Sequence, residues 1–279
     1  MDRWIGKTAV VTGAASGIGE AITCALLRYG VNVAAIDIME EKLHELRVKK
    51  EQQKLPGILE IIQCNVTFEA DLNRAFEQIE TKMKGVDIMI NNAGCCEYSR
   101  VIDSVWKSFQ LILNTNVTAY AACMNKAVNS MHNRNVEGHI FNVNSVMGHY
   151  IPAKSSEDAA LDFNLYVASK HATVALTHTV RREIADFKPS IRITSISPGI
   201  VKTNIASQSE KMRNIFEKIP FILPEDIADA IIYALGTRQE VQRYFRFRFI
   251  IHKIFYIYCI YLENYIKLIQ LRLPLLVLQ

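Results

Sequence analysis

The sequence predicts a doubly wound α/β fold, with a mostly parallel sheet and helices on both faces. Short β-branched apolar runs alternate with segments whose apolar residues recur at helical spacing. The first run leads at once into the glycine cluster Thr12-Gly13-Ala14-Ala15-Ser16-Gly17-Ile18-Gly19. Further polar and glycine-containing motifs fall where later strands would end, at the carboxyl edge where such sheets bind ligands.

Taken in order, residues 7–12 read as a buried strand and residues 20–29 as a helix closed by Gly30. Gly13, Gly17 and Gly19 therefore occupy a strand-to-helix turn. Their spacing, G-x-x-x-G-x-G, is neither G-x-G-x-x-G nor a P-loop, since no Gly-Lys-Ser/Thr follows. The physical use is the same, because glycine admits positive φ and lets backbone N–H groups approach a pyrophosphate at the positive end of the new helix. Gly13, Ser16, Gly17, Ile18 and Gly19 are thus candidate cofactor residues; a plain glycine-rich connection is the rival reading of the cluster alone.

Residues 31–36 read as a second strand ending at Asp37, about 18 residues beyond Gly19, the spacing of a carboxylate that binds an adenosine ribose. Asp37 would repel a 2′-phosphate, and neither Ser16 nor Ile38 offers a cation to hold one. NAD is therefore expected rather than NADP. Asp37 also suits the N-cap of a helix over residues 39–50.

The alternation continues with a strand over 58–64, a helix over 70–83 and a strand over 87–90 running into Asn91-Asn92-Ala93-Gly94. A long helical stretch over 104–131, a strand over 139–143, a helix over 166–187 and a strand over 192–196 follow. Helices of this length between strands imply parallel pairing.

Two Tyr-x-x-x-Lys spacings occur. Tyr150 and Lys154 flank Pro152, which blocks a helix through the pair. Tyr166 and Lys170 lie in a proline-free, alanine-rich helix, where side chains four apart are neighbours. A phenol titrates near ~10, so it acts as a base near neutrality only if its anion is stabilised; an ammonium one turn away and a positive nicotinamide ring would do so. Tyr166 would take the alcohol proton as hydride leaves, and Ser145, at the end of a strand, would hold the substrate oxygen. Taken alone, Ser145 is an ordinary strand-end hydroxyl.

From about Trp4 to Val241 these residues resemble the classical short-chain dehydrogenases/reductases, which have a Rossmann-type fold. The motifs are Thr12-Gly13-x-x-x-Gly17-Ile18-Gly19, Asn91-Asn92-Ala93-Gly94, Asn116, Ser145, Tyr166 with Lys170, and Pro198-Gly199-Ile200-Val201-Lys202-Thr203. The resemblance implies that Asn116 holds a water linked to Lys170 and that Lys170 also binds the nicotinamide ribose. It further implies that Ile200 and Thr203, on the Pro198-Gly199 loop, contact the carboxamide, and that Asn91, Ala93 and Gly94 support the adenosine side of the cofactor site. Residues 144–149, 166–176 and 224–230 are similar to the subgroup of insect farnesol dehydrogenases and related hydroxysteroid dehydrogenases. Asn65-Val66 stands where the family usually has Asp-Val for the adenine amino group; an amide oxygen still accepts, without a charge. Farnesol dehydrogenases often carry basic residues for NADP where this chain has Asp37.

The length suits one catalytic domain, residues 1–242. The first strand begins at Lys7, so a leader peptide and secretion are not expected, a cytoplasmic location is, and the six Cys should be reduced. No metal-ligand spacing occurs, and no metal is expected. The net charge of +4 does not indicate nucleic acid: residues 243–279 alone hold Arg243, Arg246, Arg248, Lys253, Lys267 and Arg272 against Glu263, a net +5. That tail contains no Gly, Ala, Ser, Thr or Asp. It reads as a last strand over 244–249 followed by an amphipathic helix on a core or membrane surface, or as the mistranslated end of a gene. It lacks the ~20 apolar residues of a transmembrane span.

The expected protein is an NAD-linked oxidoreductase, a homo-oligomer, acting on a lipophilic alcohol or carbonyl of isoprenoid, retinoid or steroid type. By family likeness the pocket walls would be Val146, Met147, His149, Tyr150, Ile151, Phe216, Ile219, Phe221 and Ile222. The alternative is a nucleotide-binding scaffold with little turnover.

Overall fold

A computed structural model describes residues 1–151, 162–203, 221–238 and 241. Six strands, β1 (Thr8–Thr12), β2 (Asn32–Asp37), β3 (Leu59–Gln63), β4 (Ile88–Asn91), β5 (Gly138–Val143) and β6 (Ile191–Ile196), form one sheet in the order β3-β2-β1-β4-β5-β6. Every pairing is parallel. The chain winds outward from β1 to β3, returns beside β1 as β4 and winds the other way, so the order reverses between β1 and β4. Ligands bind at such a reversal, beyond the carboxyl ends of the strands.

Alternate strand residues sort to the two faces. Ala9, Val11, Val33, Ala35, Ile88, Ile90 and Phe141 pack against α1 (Gly17–Arg28), α2 (Glu40–Gln52) and, near the end of the described chain, α7 (Pro224–Gly236). Val10, Ala34, Ile36, Met89 and Ile140 pack against α3 (Glu69–Met83) and α5 (Ala119–Asn133), with α6 (Tyr166–Glu183) alongside. With both faces covered, β1 reads as one unbroken buried run, TAVVT, rather than as an alternation.

The strands expected up to residue 196 and most helices form within a few residues of the limits read from the sequence. The stretch 104–131 is divided: α4 (Trp106–Leu113) and α5 are joined by one π-helical turn, Asn114–Thr118, centred on Asn116. Such a turn places an extra residue in a helix and redirects the groups around it, a device common at functional sites. Helix α7 closes the domain against the amino terminus. Arg3 Nη2 donates to Leu235 O and Thr237 O at 3.0 and 2.6 Å, and buried Trp4 Nε1 donates to Leu235 O at 2.9 Å. These donors satisfy carbonyls that a helix end leaves without partners. The strand expected over 244–249 and the segment beyond it lie outside the described residues, as does Lys154 of the rejected Tyr150 pair.

Candidate active site

The glycine turn is shaped by close approaches. Gly13 has φ +64°, and a Cβ there would come within 2.9 Å of the Ala93 Cα; a Cβ on Gly19 would meet the Gly13 carbonyl oxygen at 1.9 Å. The turn is therefore pressed against the loop after β4 on one side and helix α1 on the other. Ser16 is the N-cap of α1 but makes no side-chain capping bond, so the first N–H groups of Gly17, Ile18 and Gly19 remain for an anion. Gly17 also comes close to Thr203, whose Cγ2 would sit 3.1 Å from an added Cβ, so the glycine turn and the Pro198–Thr203 loop meet across the switch point. This turn fits a dinucleotide pyrophosphate.

The two asparagines after β4 divide their work in a way their sequence does not signal. Asn91 is turned into the core, 1% exposed, and donates through Nδ2 to Asn142 Oδ1 at 2.8 Å; Asn142 in turn donates to Thr177 Oγ1 of α6 at 2.8 Å. The Asn91 side chain thus links β4, β5 and α6 behind the site. Asn92 braces the turn, its Nδ2 donating to Thr12 O at 3.0 Å and Gly13 O at 3.1 Å. Ala93 N donates to Thr12 Oγ1 at 3.1 Å, while Gly94 leaves open the space before Asn116 Oδ1 and Lys170 Nζ.

Asp37 ends β2, as the ribose reading requires, yet its carboxylate is already engaged. Oδ2 accepts from Ala15 N and Oδ1 from Met39 N, both at 3.0 Å, and the residue is buried. Asp37 therefore pins the glycine turn to β2 and turns the chain toward α2, whose N-cap is Met39 and not Asp37 as the sequence suggested. Asn65 Oδ1 accepts from Thr67 N at 3.0 Å and Thr67 Oγ1 at 2.8 Å. The same amide oxygen closes the local turn before α3, a use to which Asn is well suited; Val66 packs partly buried on the core.

The polar residues expected to react converge beyond β5. Ser145 stands beside the Tyr166 hydroxyl and accepts from Met147 N at 3.2 Å. Burial pushes the Tyr166 phenol above its ordinary range, the neighbouring Cys96 thiol adds to this, and the adjacent Ser145 hydroxyl opposes it. Lys170 is buried, and desolvation lowers its ammonium to about 8. Its Nζ does not pair with the phenol oxygen; it donates to Val143 O at 3.0 Å and lies 5.6 Å from the Tyr166 ring centroid. Asn116 is fully buried in the π turn. Its Oδ1 accepts from Cys95 N and its Nδ2 donates to Cys95 O, each at 2.9 Å, while Nδ2 also reaches Ser169 Oγ at 3.0 Å. This clasp holds the loop after β4 over the Tyr166–Lys170 helix.

The loop carrying Pro198, Gly199, Ile200 and Thr203 is anchored from both ends. Val146 N donates to Pro198 O at 2.9 Å, and Val201 bridges Ile222, with Ile222 N donating to Ile200 O at 2.9 Å. Of the expected pocket walls, Val146 is buried, Tyr150, Ile151 and Phe221 are exposed, and His149 bonds Ser197 Oγ at 2.9 Å. Phe216 and Ile219 lie outside the described residues. Two aromatic residues not marked by any motif also stand here: Tyr98 and Phe163 have ring centroids 5.9 Å apart, and Phe163 lies 6.4 Å from Tyr166.

Residues 7–214 match the family model described as short chain dehydrogenase. The chain belongs to the short-chain dehydrogenase family. It is 39% identical over 247 residues to a farnesol dehydrogenase of Aedes aegypti, covering 87% of this chain and 95% of that protein. It is 35% identical over 248 residues to the human dehydrogenase/reductase SDR family member 11, covering 87% and 93%. The crystal structure of a short-chain type dehydrogenase/reductase from Mycobacterium marinum superposes with a TM-score of 0.73 at 28% identity, covering 82% of this chain and 88% of that one. As a short-chain dehydrogenase the chain is an oxidoreductase that uses a nicotinamide dinucleotide, in keeping with the turn described above.

Proposed function

We propose that this short-chain dehydrogenase interconverts a lipophilic alcohol of isoprenoid, retinoid or steroid type and its carbonyl, with NAD preferred over NADP. The observation that carries the reading is the convergence of Ser145, Tyr166 and Lys170 beyond β5. In the oxidative direction Ser145 holds the substrate oxygen against Tyr166, and Tyr166 takes the hydroxyl proton as the carbinol hydrogen departs with its electron pair. A bound nicotinamide supplies the hydride acceptor, and its positive ring favours the phenolate. Lys170 contributes an ammonium at the face of the phenol, and Asn116 holds the overlying loop. NAD preference rests on Asp37, a carboxylate at the end of β2 with Ile38 rather than a cation beside it. The lipophilic substrate class is supported by the similarity to a farnesol dehydrogenase and by the apolar and aromatic groups around Tyr166.

The test is Tyr166→Phe measured against wild type on a panel of primary isoprenoid and secondary steroid alcohols. Turnover should fall by at least the ~10²-fold typical of a lost acid/base group, with NADH binding retained. An unchanged rate would remove Tyr166 from the chemistry. A wild type that binds NADH and transfers no hydride across the panel would point instead to a nucleotide-binding scaffold.

A further inference from the structure

Tyr120, in the first turn of α5, is 2% exposed and carries no motif that marks it in the sequence. Its hydroxyl donates to Val143 O at 2.9 Å, the same carbonyl to which Lys170 Nζ donates at 3.0 Å. Val143 is the last residue of β5 and lies one position beyond the last β4–β5 pair, Asn91 with Asn142. Its oxygen therefore stands outside that ladder, and its two lone pairs face two side-chain donors. Lys170 Nζ also lies 5.6 Å from the Tyr120 ring centroid, as far as from that of Tyr166, so the ammonium rests between two phenol rings. The titratable groups around it are Tyr166 from its own helix, Tyr120 from α5, and Cys95 and Cys96 from the loop after β4.

We propose that Tyr120 is a positioning residue for Lys170: its ring face steadies the ammonium, and its hydroxyl takes part of the accepting capacity of Val143 O, so the ammonium is kept charged without being locked to the strand end. The two actions have opposite signs. A desolvated cation over an aromatic face is favoured, so the ring raises the Lys170 pKa. A second donor on one carbonyl weakens the first, so the hydroxyl lowers it. Burial, partly offset by the Cys95 and Cys96 thiols, already brings Lys170 to about 8, within the working range, and modest changes in either contact therefore alter how much of it is charged.

The inference rests on Lys170 belonging to the reactive site, so its test reads Lys170 directly and needs no turnover. The full-length protein carries 13C at lysine Cε, the Lys170 resonance is assigned by its loss in Lys170→Met, and the resonance is titrated in wild type, Tyr120→Phe and Tyr120→Leu. Tyr120→Leu, which removes ring and hydroxyl, should lower the Lys170 pKa by about one unit, the scale of a desolvated cation–π contact. Tyr120→Phe, which keeps the ring, should raise it by about half a unit. A general loosening of the packing would move both variants the same way. A fall or no change in Tyr120→Phe overturns the proposal, and so does no change or a rise in Tyr120→Leu; if the leucine variant does not fold, the phenylalanine variant decides alone. Failure of Tyr166→Phe to slow turnover would instead count against the proposed function and leave these shifts standing.

Discussion

Replacing Lys170 by methionine should stabilise the protein at neutral pH while removing its activity. Lys170 is 4% exposed, and burial takes its ammonium from 10.5 to about 8. Because the folded-state value is the lower one, the unfolded chain holds a proton that the folded chain has released between about pH 8 and pH 10.5. Stability therefore rises with pH across that window and is lowest below pH 8, where the folded protein contains the buried charge. A shift of that size corresponds to about 3 kcal/mol. Methionine fills a similar volume, and Val143 O keeps the Tyr120 hydroxyl, so the loss of the Lys170 hydrogen bond leaves no unpartnered carbonyl and costs about 1 kcal/mol. The remaining ~2 kcal/mol is worth about 5 °C in a domain of this size. Thermal melting of wild type and Lys170→Met at pH 7, 8.5 and 10 checks this: the variant should melt higher at pH 7, with the difference closing as pH rises. A variant that melts lower at pH 7, or a gap independent of pH, would refute the burial argument.

Asp37→Ala with Ile38→Arg should move the ratio of kcat/KM toward NADP by at least about tenfold, since it removes a repulsive carboxylate and adds a bidentate phosphate partner; a wild type already faster with NADP would overturn the reading of Asp37. Because Asp37 also holds Ala15 N, the double variant should bind both dinucleotides more weakly than wild type binds NAD, measured by NADH and NADPH fluorescence titration. Trp4→Phe, which removes the donor to Leu235 O, should lower Tm by a few degrees, the effect of about 1 kcal/mol at the carboxyl end of α7, with kcat unchanged. Residues 1–242 expressed alone should fold and bind NADH, as the amino-terminal clamp on α7 closes within them; loss of folding would assign residues 243–279 to the core.

The sheet was legible because both its faces are covered. Strands such as TAVVT and the NVAAID run stand out as short β-branched or small apolar stretches between helical repeats, and the glycine turn and the Tyr166–Lys170 spacing are local patterns with one plausible geometry each. What escaped the sequence were choices between chemically equivalent residues and contacts across long separations. Asn91 and Asn92 are identical in type, and only the strand pleat sends the first into the core toward Asn142 and leaves the second beside the glycine turn. The π turn at Asn116 has no breaker to announce it, and the helical period runs through residues 104–131 uninterrupted. Asp37 illustrates a different limit: spacing located it beside the glycine turn, while its carboxylate bonds to Ala15 and Met39 depend on how β2 ends. Tyr120 reads as one more core aromatic until the fold brings its hydroxyl to the oxygen that Lys170 also uses.

The candidate site owes its place to the unequal overrun of neighbouring strands. β4 ends its pairing with β5 at Asn91–Asn142, whereas β5 and β6 continue to Val143–Ile196, and Asn144 N still reaches Ile196 O at 2.7 Å. Beyond Asn142, β5 therefore keeps a neighbour on its β6 side and leaves the ladder on its β4 side. The β6 side carries the backbone onward to place Ser145 beside Tyr166 and to tie Val146 N to Pro198 O. The β4 side leaves Val143 O to be met by side chains, and the loop after β4, released from the ladder, folds over Asn116 and leaves Gly94 open toward Lys170. An oxygen with a strand partner would have had no capacity for two more donors. The register of β4 against β5 thus determines that Lys170 and Tyr120 meet at Val143, and a change at either donor is felt by the other without any movement of the sheet.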